Sequence, residues 1–202
     1  MLGIQWEKHF PWPATPSIEV RPGSFPRFMD FLQTHQARLF ADSVSAGGFL
    51  SEPFSSNKRR YYELAGDFLE FFADGRPVGY FIGNVQDWNT YYLRFCAILP
   101  EYRGSPAYAR FLRHLLEILP VYGVERVEAH VSPANFVNLH MLTKLQFNVS
   151  GQCLSERWGA LLHFTKFLSA RHENVFLKQF CNSDWPQVRN RAGSDDLTPM
   201  SV

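Results

Sequence analysis

Three side chains in the second half of the chain carry the chemistry most readily legible from residue type and spacing. His130 lies in the run VERVEAHVS, where alternation puts Val127, Ala129 and Val131 on one face and Arg126, Glu128 and His130 on the other. A histidine titrates nearest neutral pH, so it serves as a general base with the least tuning. Glu128, on the same face, could orient the imidazole or hold a cation. His163, in ALLHFTKFL, alternates with Leu161 and Thr165 and could line a pocket from the opposite side. Each of the three could equally be a plain structural residue of a strand, so they stand as candidates. Cys96, in YYLRFCAIL, has no His-plus-carboxylate pattern to activate it, and a buried cysteine ordinarily packs as a small apolar residue. Cys96, Cys153 and Cys181 show neither CxxC nor Cys/His ligand spacing, so no metal site is expected. Asn135, just ahead of the apolar run FVNLHML, suits a helix N-cap.

Placing these residues requires strands and helices in alternation. Spacing predicts one or two helices from Phe25 to about Ala46, ended by Gly47-Gly48, and a short helix over Asn57–Ala65. Phe68–Ala73 and Pro77–Val85 read as strands joined by Asp74-Gly75, a turn pair that tolerates positive φ. Tyr91–Leu99 is a third strand. Ser105 and Pro106 then fit the N-cap and first residue of a helix whose stripe is Phe111, Leu112, Leu115, Leu116 and Leu119. A strand over Val124–Val131, a helix over Asn135–Leu145 and strands at about 148–157 and 160–168 complete the order. A strand–helix–strand crossover gives parallel neighbours, so an α/β fold with a mixed sheet is expected. Residues 1–24, proline-rich with Trp6 and Trp12, read as an arm lying on a domain of residues 25–182. Residues 183–202 lose all periodicity and read as a flexible tail.

Two runs are more specific. LRFCAILPEYRGSPAYARFLRHLLEIL, followed by VERVEAHVSPANFVNLHMLTKLQFNV, resembles the core of the GNAT superfamily of N-acyltransferases over about residues 68–168. The first run is similar to that family's fourth strand, donor loop and helix. The second is similar to its fifth strand and the helix that ends in a Gly-Phe pair, here Gln146-Phe147. The resemblance implies a mixed, mostly antiparallel sheet with one parallel, splayed pair of strands, flanked by helices. It implies an acyl thioester donor, acetyl-CoA above all. Phe95, Ala97, Ile98 and Leu99 would line the pantetheine path, and Arg103, Gly104, Ser105, Ala107 and Tyr108 would wrap the phosphates. Asn135 would meet a pantetheine amide. An amine would attack the thioester directly, with His130 at the position where some members carry their base, and strand N–H groups near Ile98 would polarise the carbonyl.

The chain departs from the family pattern in three places. Pro106 replaces a loop glycine and removes an amide donor, and Tyr108 replaces a small residue at a close backbone approach. Leu142 stands where many members carry a proton-donating tyrosine, leaving that role to His140, Tyr92 or water. These departures leave two alternatives open. One is a donor carried by an acyl carrier protein or an aminoacyl-tRNA. The other is a GNAT-shaped binding protein without catalysis.

Composition narrows the partners. Twenty basic against nineteen acidic residues leave a formal charge of +1, too balanced for avid, non-specific capture of nucleic acid. No apolar run approaches the roughly 20 residues of a membrane span, so no membrane partner is expected. The odd, unpatterned cysteines suit a reducing, cytoplasmic setting. The resemblance puts the acceptor site in the N-terminal helices and the loop between the last two strands, which here hold Phe49, Phe54, Tyr61, Tyr62 and Trp158 with Arg157 beside it, and so implies a small amine acceptor with apolar or planar character and one anionic group.

Overall fold

The computed structural model describes residues 3–39, 56–155 and 158–180. Five helices and eight strands are found among these residues. The strands are β1 (Trp12–Pro13), β2 (Glu19–Pro22), β3 (Asp67–Ala73), β4 (Arg76–Val85), β5 (Thr90–Ile98), β6 (Arg126–Val131), β7 (Asn148–Ser155) and β8 (Gly159–Phe167). The helices are α1 (Phe25–Leu39), α2 (Ser56–Ala65), α3 (Ala107–Ile118), α4 (Phe136–Lys144) and α5 (Ala170–Phe180). All eight strands form one sheet in the order β1-β2-β3-β4-β5-β6-β8-β7. Only β5 and β6 run parallel, because α3 carries the chain from the end of one to the start of the other. This is the mixed, mostly antiparallel α/β sheet that the resemblance implies.

The β3–β4 hairpin turns on Asp74 and Gly75, both at positive φ, as expected of a two-residue turn whose twist matches the strands. On one face of the sheet, Phe111 of α3 packs its ring 4.9 Å from that of Phe81 and 5.3 Å from that of Phe71. On the other, Phe28 and Phe31 of α1 sit 5.8 and 5.1 Å from the ring of Tyr80. A buried polar tie holds α1 in place as well. Glu70, fully enclosed in β3, accepts from the Tyr80 hydroxyl at 2.7 Å and pairs with Arg27 Nη2 at 2.7 Å. Since a buried carboxylate is costly unless paired, this contact fixes where α1 lies on the sheet.

Within the N-terminal arm, residues 12–13 and 19–22 add two strands to the sheet, β2 pairing with β3 from Glu19↔Phe72 to Pro22↔Leu69, and Trp6 and Phe10 are buried. One expectation is corrected. Ser105 does not cap α3. The N-cap is Pro106, without a side-chain capping bond, and the Ser105 hydroxyl is buried with no hydrogen-bond partner. A fifth helix, α5, follows β8. The expected stretch of helix up to Ala46, its Gly47-Gly48 stop and the tail of residues 183–202 lie outside the described residues. No helix among the described residues is long and apolar enough to cross a membrane.

Candidate active site

The site forms where two neighbouring strands part. β5 pairs with β6 only through Thr90↔Arg126, Tyr91↔Val127 and Tyr92↔Glu128. Beyond Tyr92 the two strands diverge, so the rest of β5 has no partner on that side. A bulge assists the parting. Ile82 of β4 faces Phe95 and Gly83 faces Leu93, which leaves Arg94 as the extra residue. A bulge bends its strand and increases local twist. Past it, Phe95 turns onto α1, its ring 5.5 Å from that of Phe28.

The three candidate chemistry-bearing residues meet at this opening. Glu128 and His130 share the face turned away from α3, as alternation predicts, and His130 is directly opposite His163 on β8. The two imidazoles stand edge to face with centres 4.6 Å apart, and the Tyr92 ring lies 5.2 Å from His130. Glu128 is buried, with Oε2 3.1 Å from His163 Nε2 and Oε1 3.3 Å from Arg126 Nε. Arg126 is itself held by Thr90 Oγ1 at 2.7 Å and Asp87 Oδ2 at 3.3 Å. Glu128 is therefore committed to its neighbours, whereas His130 is exposed. Partial desolvation of the ring and the nearby His163 push the His130 pKa below its ordinary 6.5, while Glu128 pulls it up. An imidazole so placed is neutral at physiological pH and can accept a proton.

The donor-side residues sit around the upper half of β5. Phe95, Ala97 and Ile98 are half-buried along the unpaired edge, and Leu99 is buried. The amides of Ala107 and Tyr108 open α3 and, among the described residues, donate to no backbone carbonyl. They form the positive end of a helix of twelve residues, a setting that suits phosphate. Gly104 adopts φ +81°, with open space where a side chain would stand. Arg103 is less available than its type suggests. Its Nε donates to the Ile98 carbonyl at 2.9 Å and its Nη2 to the Leu39 carbonyl at 3.1 Å, tying α1 to the end of β5. Tyr108 turns inward, stacking near Phe111 and bonding the Cys96 thiol. Burial pushes that thiol well above its ordinary range, so Cys96 is a packing residue and no nucleophile. The residues present thus fit a pantetheine-borne donor along β5, with backbone amides rather than an arginine fork facing the phosphates.

Asn135 is the N-cap of α4, its Oδ1 accepting from the Asn138 amide at 3.1 Å. Leu142 is enclosed in the core at 1% exposure. Of the aromatic acceptor candidates, Tyr61 and Trp158 are exposed and Tyr62 is half-buried. Phe49, Phe54 and Arg157 lie outside the described residues. One residue escaped sequence reasoning altogether: Arg94, whose position at the bulge brings it over Tyr62 and Tyr92. Among the described residues, no cluster of His, Cys, Asp and Glu could hold a metal ion.

Comparison with known proteins agrees with this geometry. An N-acetyltransferase of Escherichia coli that acts on alanine of ribosomal protein S18 superposes with a TM-score of 0.57 at 14% identity, over 75% of this chain and 94% of its own. The PaiA N-acetyltransferase of Thermoplasma acidophilum, solved with coenzyme A, gives 0.56 at 19% identity, over 75% and 99%. A Salmonella typhimurium protein solved with its cofactor acetyl-CoA gives 0.57 at 15%, over 75% and 94%. At these identities the likeness is one of fold. No curated protein sequence matches. The model of the Acetyltransferase (GNAT) family matches residues 32–147, more than half of the sequence and all of the parted strands, and the chain belongs to that family.

Proposed function

We propose that the protein is an N-acetyltransferase that moves an acetyl group from acetyl-CoA to a primary amine, with His130 as general base. The observation that carries this reading is the parting of β5 from β6 beyond Tyr92 and Glu128, with His130 exposed at the opening. The amine nitrogen attacks the thioester carbonyl, the C–S bond breaks, and the amine proton passes to the His130 imidazole. Strand amides near Ile98 polarise the carbonyl, and holding both substrates in one cleft supplies much of the rate. A thiolate is a competent leaving group, so Leu142 in place of a tyrosine lowers the rate without stopping the reaction. Glu128 and His163 position and tune the base. That related structures hold acetyl-CoA or coenzyme A supports a coenzyme A donor. The E. coli relative named for S18 alanine makes a protein amine an alternative to a small one.

A second reading has its own observation. With Arg103 engaged by Ile98 and Leu39 and with Pro106 lacking an N–H, the phosphate end of the site is poorer in donors than the fold permits. A phosphopantetheine on a carrier protein, with its single phosphodiester, asks less of such a loop. The test is thiol release from acetyl-CoA and from an acetylated carrier protein against a panel of amines. Turnover with acetyl-CoA, lowered about 10²-fold or more in His130→Ala, is expected. Turnover with the carrier-linked donor alone would establish the second reading. Release with no donor would leave a binding protein of GNAT shape.

A further inference from the structure

Arg94 is the extra residue of the β5 bulge, and its side chain is held in a way that leaves its reactive end open. Its Nε donates to Asn84 Oδ1 at 2.8 Å, and Asn84 is itself buried and bonded through Nδ2 to the Val85 carbonyl at 3.2 Å. The guanidinium carbon lies 5.2 Å from the centre of the Tyr92 ring and 5.4 Å from that of Tyr62 on α2. One nitrogen is thus pinned and two aromatic rings flank the plane, while neither terminal nitrogen has a partner among the described residues. The neighbouring arginines differ. Arg126 is spent on Thr90, Asp87 and Glu128, and Arg103 on two backbone carbonyls.

The position matters as much as the open fork. Tyr92, over which the guanidinium sits, is also the ring that touches His130, so the fork and the proposed base flank a single phenol at the mouth of the parted strands. We infer that the acceptor amine carries a carboxylate a few bonds from its nitrogen, that Arg94 binds this carboxylate bidentately, and that an amino acid or a closely similar compound is the substrate class. This rests on the acetyl-transfer reading above. With Nε engaged by Asn84, the one bidentate edge left, Nη1–Nη2, matches the two oxygens of a carboxylate. A single cation also balances a single negative charge, whereas a phosphate dianion would call for more than one. Because the fork is fixed before the ligand arrives, little side-chain entropy is lost on binding.

The experiment pairs each of a panel of L-amino acids with its α-amide as acceptor for acetyl-CoA. The amide's amine is the less basic and so the more abundant neutral nucleophile at neutral pH, which makes a preference for the acid a reading of the fork. The expected result is kcat/KM at least tenfold higher for the acid of the preferred pair. In Arg94→Gln, which can still donate to Asn84, that ratio should fall to near one. Arg94→Lys, which keeps the charge without the fork, should fall between. Equal rates for acid and amide in the wild type, or an acid preference that survives in Arg94→Gln, overturns the inference. Binding separates this failure from failure of the catalytic reading. N-acetyl amino acids should raise the melting temperature of the wild type more than their amides do, and of Arg94→Gln no more than their amides do. Arg94-dependent, acid-selective binding without any turnover would retain the carboxylate site and remove the transferase. Absence of acid-selective binding with every pair would remove the site.

Discussion

His130 is set between neighbours of opposite effect, and this gives its titration a direction. Its partial burial and the edge of His163 hold the pKa below the ordinary 6.5, against the pull of the Glu128 carboxylate. Only the neutral imidazole accepts a proton, so activity is lost as pH falls through that pKa. Corrected for the fraction of neutral acceptor amine, the acid limb of kcat/KM should therefore have its midpoint below 6.5, with the plateau already reached at neutral pH. Glu128→Gln removes the one charge that favours the imidazolium and leaves Arg126 paired with Asp87 alone. The limb should then shift to still lower pH, with the plateau rate changed far less than in His130→Ala. A limb that shifts upward in Glu128→Gln, or that persists in His130→Ala, assigns the proton to another group. A pH–rate profile of the three proteins decides it. The tyrosine that many family members place at position 142 is absent here, and Leu142 in the core offers no replacement.

At the scale of elements, α4 shows how a local cost can be read and relieved. The helix ends with the Gln146 amide bonded to the Thr143 carbonyl and the Phe147 amide to that of Leu142, the pairing of a left-handed C-terminal cap. Gln146 accordingly adopts φ 63°, where a side chain costs about 1 kcal/mol and glycine costs nothing. Gln146→Gly should raise stability by roughly 1 kcal/mol, or about 2–4 °C in a chain of this size. Gln146→Ala should not. Denaturant unfolding of the two variants is the check, and equal stability would mean that the cap carries no strain.

The end of that helix was legible beforehand, because the resemblance put it at Gln146-Phe147, though not the left-handed cap that closes it. So were the β3–β4 hairpin, from Asp74-Gly75, and the face shared by Glu128 and His130, from strict alternation in β6. Alternation failed in β5. The bulge at Arg94 shifts the phase, so that Phe95 faces α1 while Cys96 faces Tyr108 beneath α3, and no residue type marks such an insertion in sequence. Arg94 was missed for that reason. α5 escaped because none of its residues is buried, and β2 because four residues with a proline carry no period.

Across the whole molecule, the segment from Trp6 to Pro22 is part of the sheet's energetics. Trp6 donates from Nε1 to Asp67 at 2.7 Å, the Phe10 ring lies 6.3 Å from that of Phe111, and Ile18 and Val20 are buried. Burying each such side chain contributes about 1.5–3 kcal/mol, so the four together supply about 6–12 kcal/mol. That is comparable to the whole stability of a typical domain, about 5–15 kcal/mol. Removing the segment would also strip β2 from β3 and expose an apolar strand edge along Leu69 and Phe71, an invitation to aggregation. A chain starting at Ser24 should therefore yield no cooperative thermal transition and little soluble protein, although it retains every residue of the family match. A chain ending at Asn182, which loses only sequence without periodicity, should melt within about a degree of the full-length protein. Should the N-terminal truncation instead fold with an unchanged transition, residues 1–23 would be an arm resting on an independent domain, and the sheet's contact with them would contribute little to its stability.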